Sequence, residues 1–340
     1  MELREMLERL TAAPGPAGRE DAAADVAAEL LQSLGEVSRT TLGSVVCKLP
    51  CGSADAPLIL LEAHLDQVGL VVTTIEDGFL RIANCGGLDR RLLPATPVVV
   101  HTAGGPRKGV VCSVPPHLKE EGDKPPKLEE MAIDVGYTQE RATELFAPGD
   151  AITLDVQGCI ELQNGRVSSM ALDDRAGCAA VIHAAQLVAR QGSKNRVAVL
   201  LSAMEEVGGH GAATAAYGLD PQRSYCVDVS FGDWPGVAPH KSGKLGGGPM
   251  LGYAPILSRS LNARLHELAE REGITLQREV MGGVTGTNAD KIAIARGGVA
   301  TALLSIPLRH MHTGAETIVF SDLEDTARLL AAAACDDGQV

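Results

Sequence analysis

The sequence predicts an α/β fold interrupted by a β-rich insert, and three observations carry that prediction. Before about residue 69, continuous apolar runs of strand length alternate with helix-length segments of helical periodicity. From about Gly69 to Leu162 the composition shifts to short β-like runs parted by Gly and Pro. After Leu162 the α/β rhythm returns. The expected division is a discontinuous α/β domain over residues 1–68 and 163–340, with an inserted β domain over 69–162.

The elements follow in order. The opening "MELREMLERL" is charged and amphipathic, and it lacks the continuous apolar core of a signal peptide. "AGREDAAADVAAELLQSLG" spaces its apolar residues as a helix and ends at Gly35. "PLILLEAHLD" reads as a buried strand that changes sharply to His64 and Asp66. In the insert, "LVVTTI", "FLRIA", "TPVVVHT", "RKGVVCSV", "MAIDVG" and "DAITLDV" are the strands of a small all-β module. "PPHLKEEGDKPPK", Pro115 to Lys127, is charged and carries two Pro-Pro pairs, the pattern of an exposed loop. Beyond it, "DDRAGCAAVIHAAQLVARQG" is a helix, "RVAVLLSAM" and "RSYCVDVS" are strands, and "ILSRSLNARLHELAEREG" is an amphipathic helix. "GVATALLSIPL" is a strand leading to "RHMHTGAE", and "SDLEDTARLLAAAA" closes the chain as a helix with Ser321 as its N-cap.

Composition narrows the function classes. Apolar residues make up 45% of the 340, enough for a large core, but only 3% are aromatic, so Ala, Val, Leu and Ile must fill it. A formal charge of −13 argues against nucleic acid or an anionic membrane as partner. No stretch approaches the roughly 18–20 apolar residues of a membrane span. Eight cysteines are scattered, several inside apolar runs; Cys47 and Cys51 form a lone C-x3-C without a matching pair. Reduced, mostly buried thiols in a cytoplasmic protein are expected.

Five segments end a strand or turn in metal-competent side chains: His64 and Asp66 in "AHLDQVG", Asp173 and Asp174 in "ALDDRAG", Glu205 and Glu206 in "AMEEVGG", Asp228 in "CVDVSFGD", and His312 in "RHMHTG". Carboxyl ends of strands in an open α/β sheet converge on one crevice, so these residues can meet. Alone, each has a plain reading: acids favoured by a helix dipole, a solvated turn, a capping Asp. Together they fit two divalent ions, with Asp173 bridging, His64 and Asp228 completing one site, and Glu206 and His312 the other. Imidazole with carboxylate suits zinc, cobalt or manganese better than calcium or magnesium. Glu205 is then free to act as general base on an activated water. Asp66, two residues from His64 on the same side of the strand, can accept its ring N–H and fix the tautomer. His310 competes with His312, since residues two apart in extended chain face the same way. His183 and His266 fall in helix patterns and read as structural or surface residues.

These segments resemble, in order, those of the tetrahedral and glutamyl aminopeptidase family of co-catalytic metallopeptidases. The resemblance covers most of the chain, through "EAHLDQVGLVV", "RKGVVCSVPPHL", "PPKLEEMAIDVG", "SMALDDRAGCAAV", "AMEEVGGHGA", "VDVSFGDWPG", "LGGGPML" and "GTNADKIAIARGGVATALLSIPLRHMHTGAE". It implies a zinc-peptidase-like α/β/α sandwich with an inserted PDZ-like β-barrel domain. It implies two divalent metal ions per subunit, zinc or cobalt before manganese, at His64, Asp173, Glu206, Asp228 and His312, and so selects His312 over His310. It implies Glu205 as the base and a cis peptide after Asp173. Gln67, Met204, Gly209, His210 and His310 depart from the family pattern without removing a ligand. The implied function is release of N-terminal residues from short peptides by a homo-oligomer, from dimer up to dodecamer. Two rivals use the same segments: a deacylase or other amidohydrolase with the same dinuclear site, and a non-catalytic assembly protein on a peptidase fold.

Overall fold

The computed structural model describes residues 1–51, 53–118, 127–156 and 158–338. Most of the charged Pro115–Lys127 stretch lies outside the described residues.

The main sheet has eight strands, in the order Glu36–Arg39, Val45–Lys48, Arg196–Ser202, Leu58–His64, Arg223–Phe231, Ala300–Leu308, Met250–Tyr253 and Gln277–Val280. The four strands Arg196–Ser202, Leu58–His64, Arg223–Phe231 and Ala300–Leu308 run parallel in the middle. Every residue of Leu58–His64 is buried, as a strand with both faces covered requires, including Glu62, which accepts from Ser202 and Asn288. Ile59, Leu61 and Ala63 enter one core with the helices Leu3–Ala12, Asp21–Leu31, Leu172–Gln191, Arg259–Glu272 and Phe320–Cys335. Leu58 and Leu60 enter a second core with Ala212, Ala215 and Ala216 of the helix His210–Leu219 and Ile292 of Ala289–Ile292. The period-2 alternation of a strand thus feeds both layers, giving the α/β/α sandwich.

The β-rich runs between residues 69 and 154 close into a six-strand antiparallel barrel, with Leu70, Val72, Leu80, Ile82, Val98, Val100 and Ile152 filling it. It is not purely β. Gln139–Leu145 is a helix, with Thr138 capping it through Arg141 N–H at 3.5 Å. Ile160–Leu162 leaves the barrel and pairs with Arg166–Ser169, which pairs with Glu316–Val319. The last helix starts one residue before Ser321, and Val319, with no side-chain hydrogen bond, stands at its N-cap. The capping acids of this region go elsewhere: Asp322 accepts from Gly246 and Gly248 N–H at 2.7 and 2.8 Å.

All eight cysteines are free; Cys47, Cys178 and Cys226 are buried, and Cys112 is exposed. Among the described residues, no helix is long and apolar enough to cross a membrane.

Candidate metal centre

The parallel strands deliver the predicted side chains to one edge. His64 ends its strand, Asp228 sits in the neighbouring strand on one side, and Glu205 and Glu206 follow Ser202 of the strand on the other side. Asp173 arrives on the segment before the long helix, across a cis Asp173–Asp174 peptide, in non-helical backbone. His312 follows the strand Ala300–Leu308.

Two overlapping groups result: His64, Asp173 and Asp228, and Asp173, Glu206 and His312, with ligand-type atoms of each group all within 4.8 Å of one another. Asp173 belongs to both. Its Oδ1 lies 3.0 Å from His64 Nε2, and its Oδ2 lies 3.2 Å from His312 Nε2. Asp228 Oδ1 is 3.9 Å from His64 Nε2, and Glu206 Oε1 is 3.4 Å from His312 Nε2. Glu206 Oε1 is buried without a well-formed hydrogen bond among the described residues.

Both histidines are oriented the same way. His64 Nδ1 faces the Asp66 carbonyl at 3.2 Å and its carboxylate at 3.4 Å. His312 Nδ1 faces the Gly87 carbonyl at 3.1 Å. In the neutral ring, an acceptor at Nδ1 puts the proton there and leaves the Nε2 lone pair aimed at the cluster. Gly87 must be glycine, because a Cβ there would come within 2.8 Å of the His312 ring.

Two buried carboxylates hold the backbones that carry these groups. Asp66 accepts from the N–H of Glu205 at 2.9 Å and of Glu206 at 3.0 Å. Its carboxylate therefore fixes the acidic pair more directly than the His64 ring. Glu316 accepts from the N–H of His312 at 2.7 Å and of Asp173 at 3.0 Å. The residue reading did not single out Glu316; its signal is the acid at the end of "HTGAE", at the mouth of a buried strand. Asp174 also lies behind the cluster, accepting from His64 and Gly177 N–H.

His310 does not join them. Both His310 and His312 have positive φ, so the chain is not extended there and the two rings diverge. The His310 ring stacks edge-on against Trp234 with centroids 6.0 Å apart. Gln67 is buried and accepts from Gly15 N–H, away from the cluster.

The titration pattern without cations is that of crowded acid. Burial raises Asp228, Asp174 and Glu316 well above the usual carboxylate range. Burial, opposed by His64 but joined by the carboxylates of Glu206, Asp66 and Asp173, pushes Glu205 up to about 7. Burial alone would lower both imidazoles. For His312, Asp173 and Glu206 outweigh it and push the ring up to about 11. Asp173 is buried too, yet His312 and His64 hold it below its ordinary value. Glu205 and both groups line a common cleft of about 330 Å³.

The M42 glutamyl aminopeptidase family matches residues 43–329, and the chain belongs to that family. It is similar to the lysyl aminopeptidase of Pyrococcus furiosus, 32% identical over 332 residues, covering 96% of this chain and 94% of the relative. An aminopeptidase from the archaeon Desulfurococcus kamchatkensis superposes with a TM-score of 0.91 at 34% identity, covering 99% of this chain and 95% of that one. The TET1 peptidase of Pyrococcus horikoshii, which can assemble into a tetrahedron or a large octahedral shell, superposes with a TM-score of 0.87 at 31% identity, covering 98% and 100%. The chain is thus an aminopeptidase, a peptide hydrolase of a family of metallopeptidases.

Proposed function

We propose that the chain releases N-terminal residues from short peptides using two divalent cations, zinc or cobalt before manganese. In this reading His64, Asp173 and Asp228 hold one cation, Asp173, Glu206 and His312 hold the other, and Glu205 is the general base. One observation carries it: the two oxygens of Asp173 face the two histidines separately, each ring turned by an acceptor at its Nδ1. The orphaned Glu206 Oε1 also fits a site completed by a cation.

Cations held by these residues would polarise the first carbonyl and lower the pKa of the attacking water. The rest is done by side chains. Glu205 takes the proton from the water and returns it to the departing amine. Asp66, through two backbone N–H groups, keeps Glu205 aimed at the cleft while Glu206 faces the cluster. Glu316 does the same for Asp173 and His312.

The reading keeps the catalytic domain as residues 1–68 and 163–340 with the barrel inserted between them. The barrel strands end at Leu154, which supports the insert, while Ile160–Leu162, at the end of that division, pairs with Arg166–Ser169. Assembly into a homo-oligomer, from a dimer upward, is supported by the shells of the TET1 relative.

The test is metal analysis of protein purified without chelator, together with a panel of free-amine and N-acylated peptides. The expected result is bound divalent metal, hydrolysis of the free-amine peptides and loss of activity on chelation. Preference for N-acylated compounds would replace the reading with a deacylase. Bound metal without hydrolysis would leave a non-catalytic assembly protein.

A further inference from the structure

The cleft has a second charged end, which the hydrolysis leaves unused. Glu279 lines the same cavity as the metal-competent cluster. It comes from the edge strand Gln277–Val280, in register with Gly252 of the neighbouring strand. Registered residues of paired strands share a face, and Leu257 and Leu303 pack against Gly252 there. The Glu279 carboxylate reaches two inner strands: Ser305 Oγ donates to its Oε2 at 2.6 Å, and Ser230 Oγ donates to its Oε1. Ser230, Ser305 and neighbouring Leu303 are buried, so this end of the cleft is walled. The carboxylate is thus held by two neutral hydroxyls, which fix its position without offsetting its charge. Among the described residues, no Lys or Arg lines the cleft.

We propose that Glu279 reads the first side chain of the peptide and selects a basic one, lysine or arginine. The inference rests on the aminopeptidase reading above. An aminopeptidase holds a single residue on the amine side of the bond it cuts, so the walled end receives that residue's side chain. The rest of the peptide leaves past Phe231 and Met311, which also line the adjoining cavity beside Trp234.

Charge points the same way. Asp173, Glu205, Glu206, Asp228 and Glu279 line the cleft against two histidines. Cations at the cluster would offset the charge of their own ligands and leave Glu279, which is not among them, for the substrate. A lysine ammonium or arginine guanidinium there makes a charge-assisted hydrogen bond. Leu303 and Met281, also in the cleft wall, suit the methylene stem of such a side chain. An acidic first residue is repelled, and an apolar one leaves the carboxylate without a partner.

The test measures kcat/KM of wild type and Glu279→Gln on peptides that differ only in a first residue of Lys, Arg, Leu or Glu. The wild type is expected to favour Lys and Arg over Leu by at least about tenfold, and the variant's Lys-to-Leu ratio to drop by a similar factor. An equal loss on all four peptides overturns the proposal, since Glu279 would then hold the common α-ammonium or only shape the fold. A wild-type preference for Leu or Glu overturns it as well. Calorimetric binding of lysinamide and norleucinamide reads the pocket without turnover. Selective lysinamide binding that Glu279→Gln abolishes, in a protein that cleaves none of the four peptides, would uphold the pocket and reject the aminopeptidase reading. Equal binding of the two amides to the wild type overturns the pocket whatever the peptidase rates.

Discussion

His64 and Asp228 stand in neighbouring strands of the parallel sheet and are buried, whereas Glu206 and His312 stand on loops beyond their strands, and His312 is partly open. The His64 side chain keeps 2% of its surface, and that of His312 keeps 28%. The first pair is set by core packing. The second is set by hydrogen bonds from loop backbone to Asp66 and Glu316 and from a ring to Gly87. A shared residue, Asp173, joins a rigid half to an adjustable one. The lesson is that losses on the two sides should read out differently, as folding on one side and as affinity on the other.

The largest expected effect separates chemistry from both halves. Glu205→Gln should lower kcat by about a thousandfold with metal content and melting temperature unchanged. Near wild-type turnover would remove Glu205 as the base.

Paired alanine variants test the contrast itself. In metal-free protein His64→Ala leaves buried carboxylates without their partner and should cost about 3 kcal/mol of stability. His312→Ala, at the more open side, should cost less than His64→Ala while still losing cation. Equal destabilisation in urea titrations would erase the distinction between the halves.

Glu316→Gln should weaken metal binding by about 10- to 100-fold, because it loosens two ligand backbones without removing a ligand. Competition with a chromophoric chelator reads this, and an unchanged affinity would make Glu316 a purely structural acid.

The smallest effect is on pH. Without cations the folded protein holds Glu205 near 7 and His312 near 11, above the ordinary 4.5 and 6.5. Glu205 therefore binds more protons folded than unfolded between about pH 4.5 and 7, and His312 between about pH 6.5 and 11, and each contribution to stability falls as pH rises through its own window. Cations replace those protons. The rise in melting temperature on metal loading should grow from pH 6 to pH 8; a constant or shrinking rise would contradict the titration pattern.

Much of this was legible in the sequence, for a physical reason. A strand buried on both faces is mostly apolar, so His64 at the end of one such run and Asp228 inside another stand out as something other than packing. The ligand candidates were visible one by one, and the resemblance ordered them. The groups behind them were not. Glu316 acts through backbone N–H groups, which have no sequence signature. Glu279 sits in "QREV", a polar edge strand that reads as solvated surface until Gly252 is placed beside it. His310 and His312 could not be ranked by spacing because left-handed backbone at both residues breaks the extended geometry that spacing assumes. The helix Gln139–Leu145 was hidden among strands because it spans only two turns.

His312 leans through its Nδ1 on Gly87, a residue of the inserted segment rather than of the sandwich. A shortened chain with a linker in place of the barrel would keep every strand of the large sheet yet leave that imidazole free to swivel. Trimming the molecule to its sandwich would disable the open side of the centre while every coordinating side chain was still present.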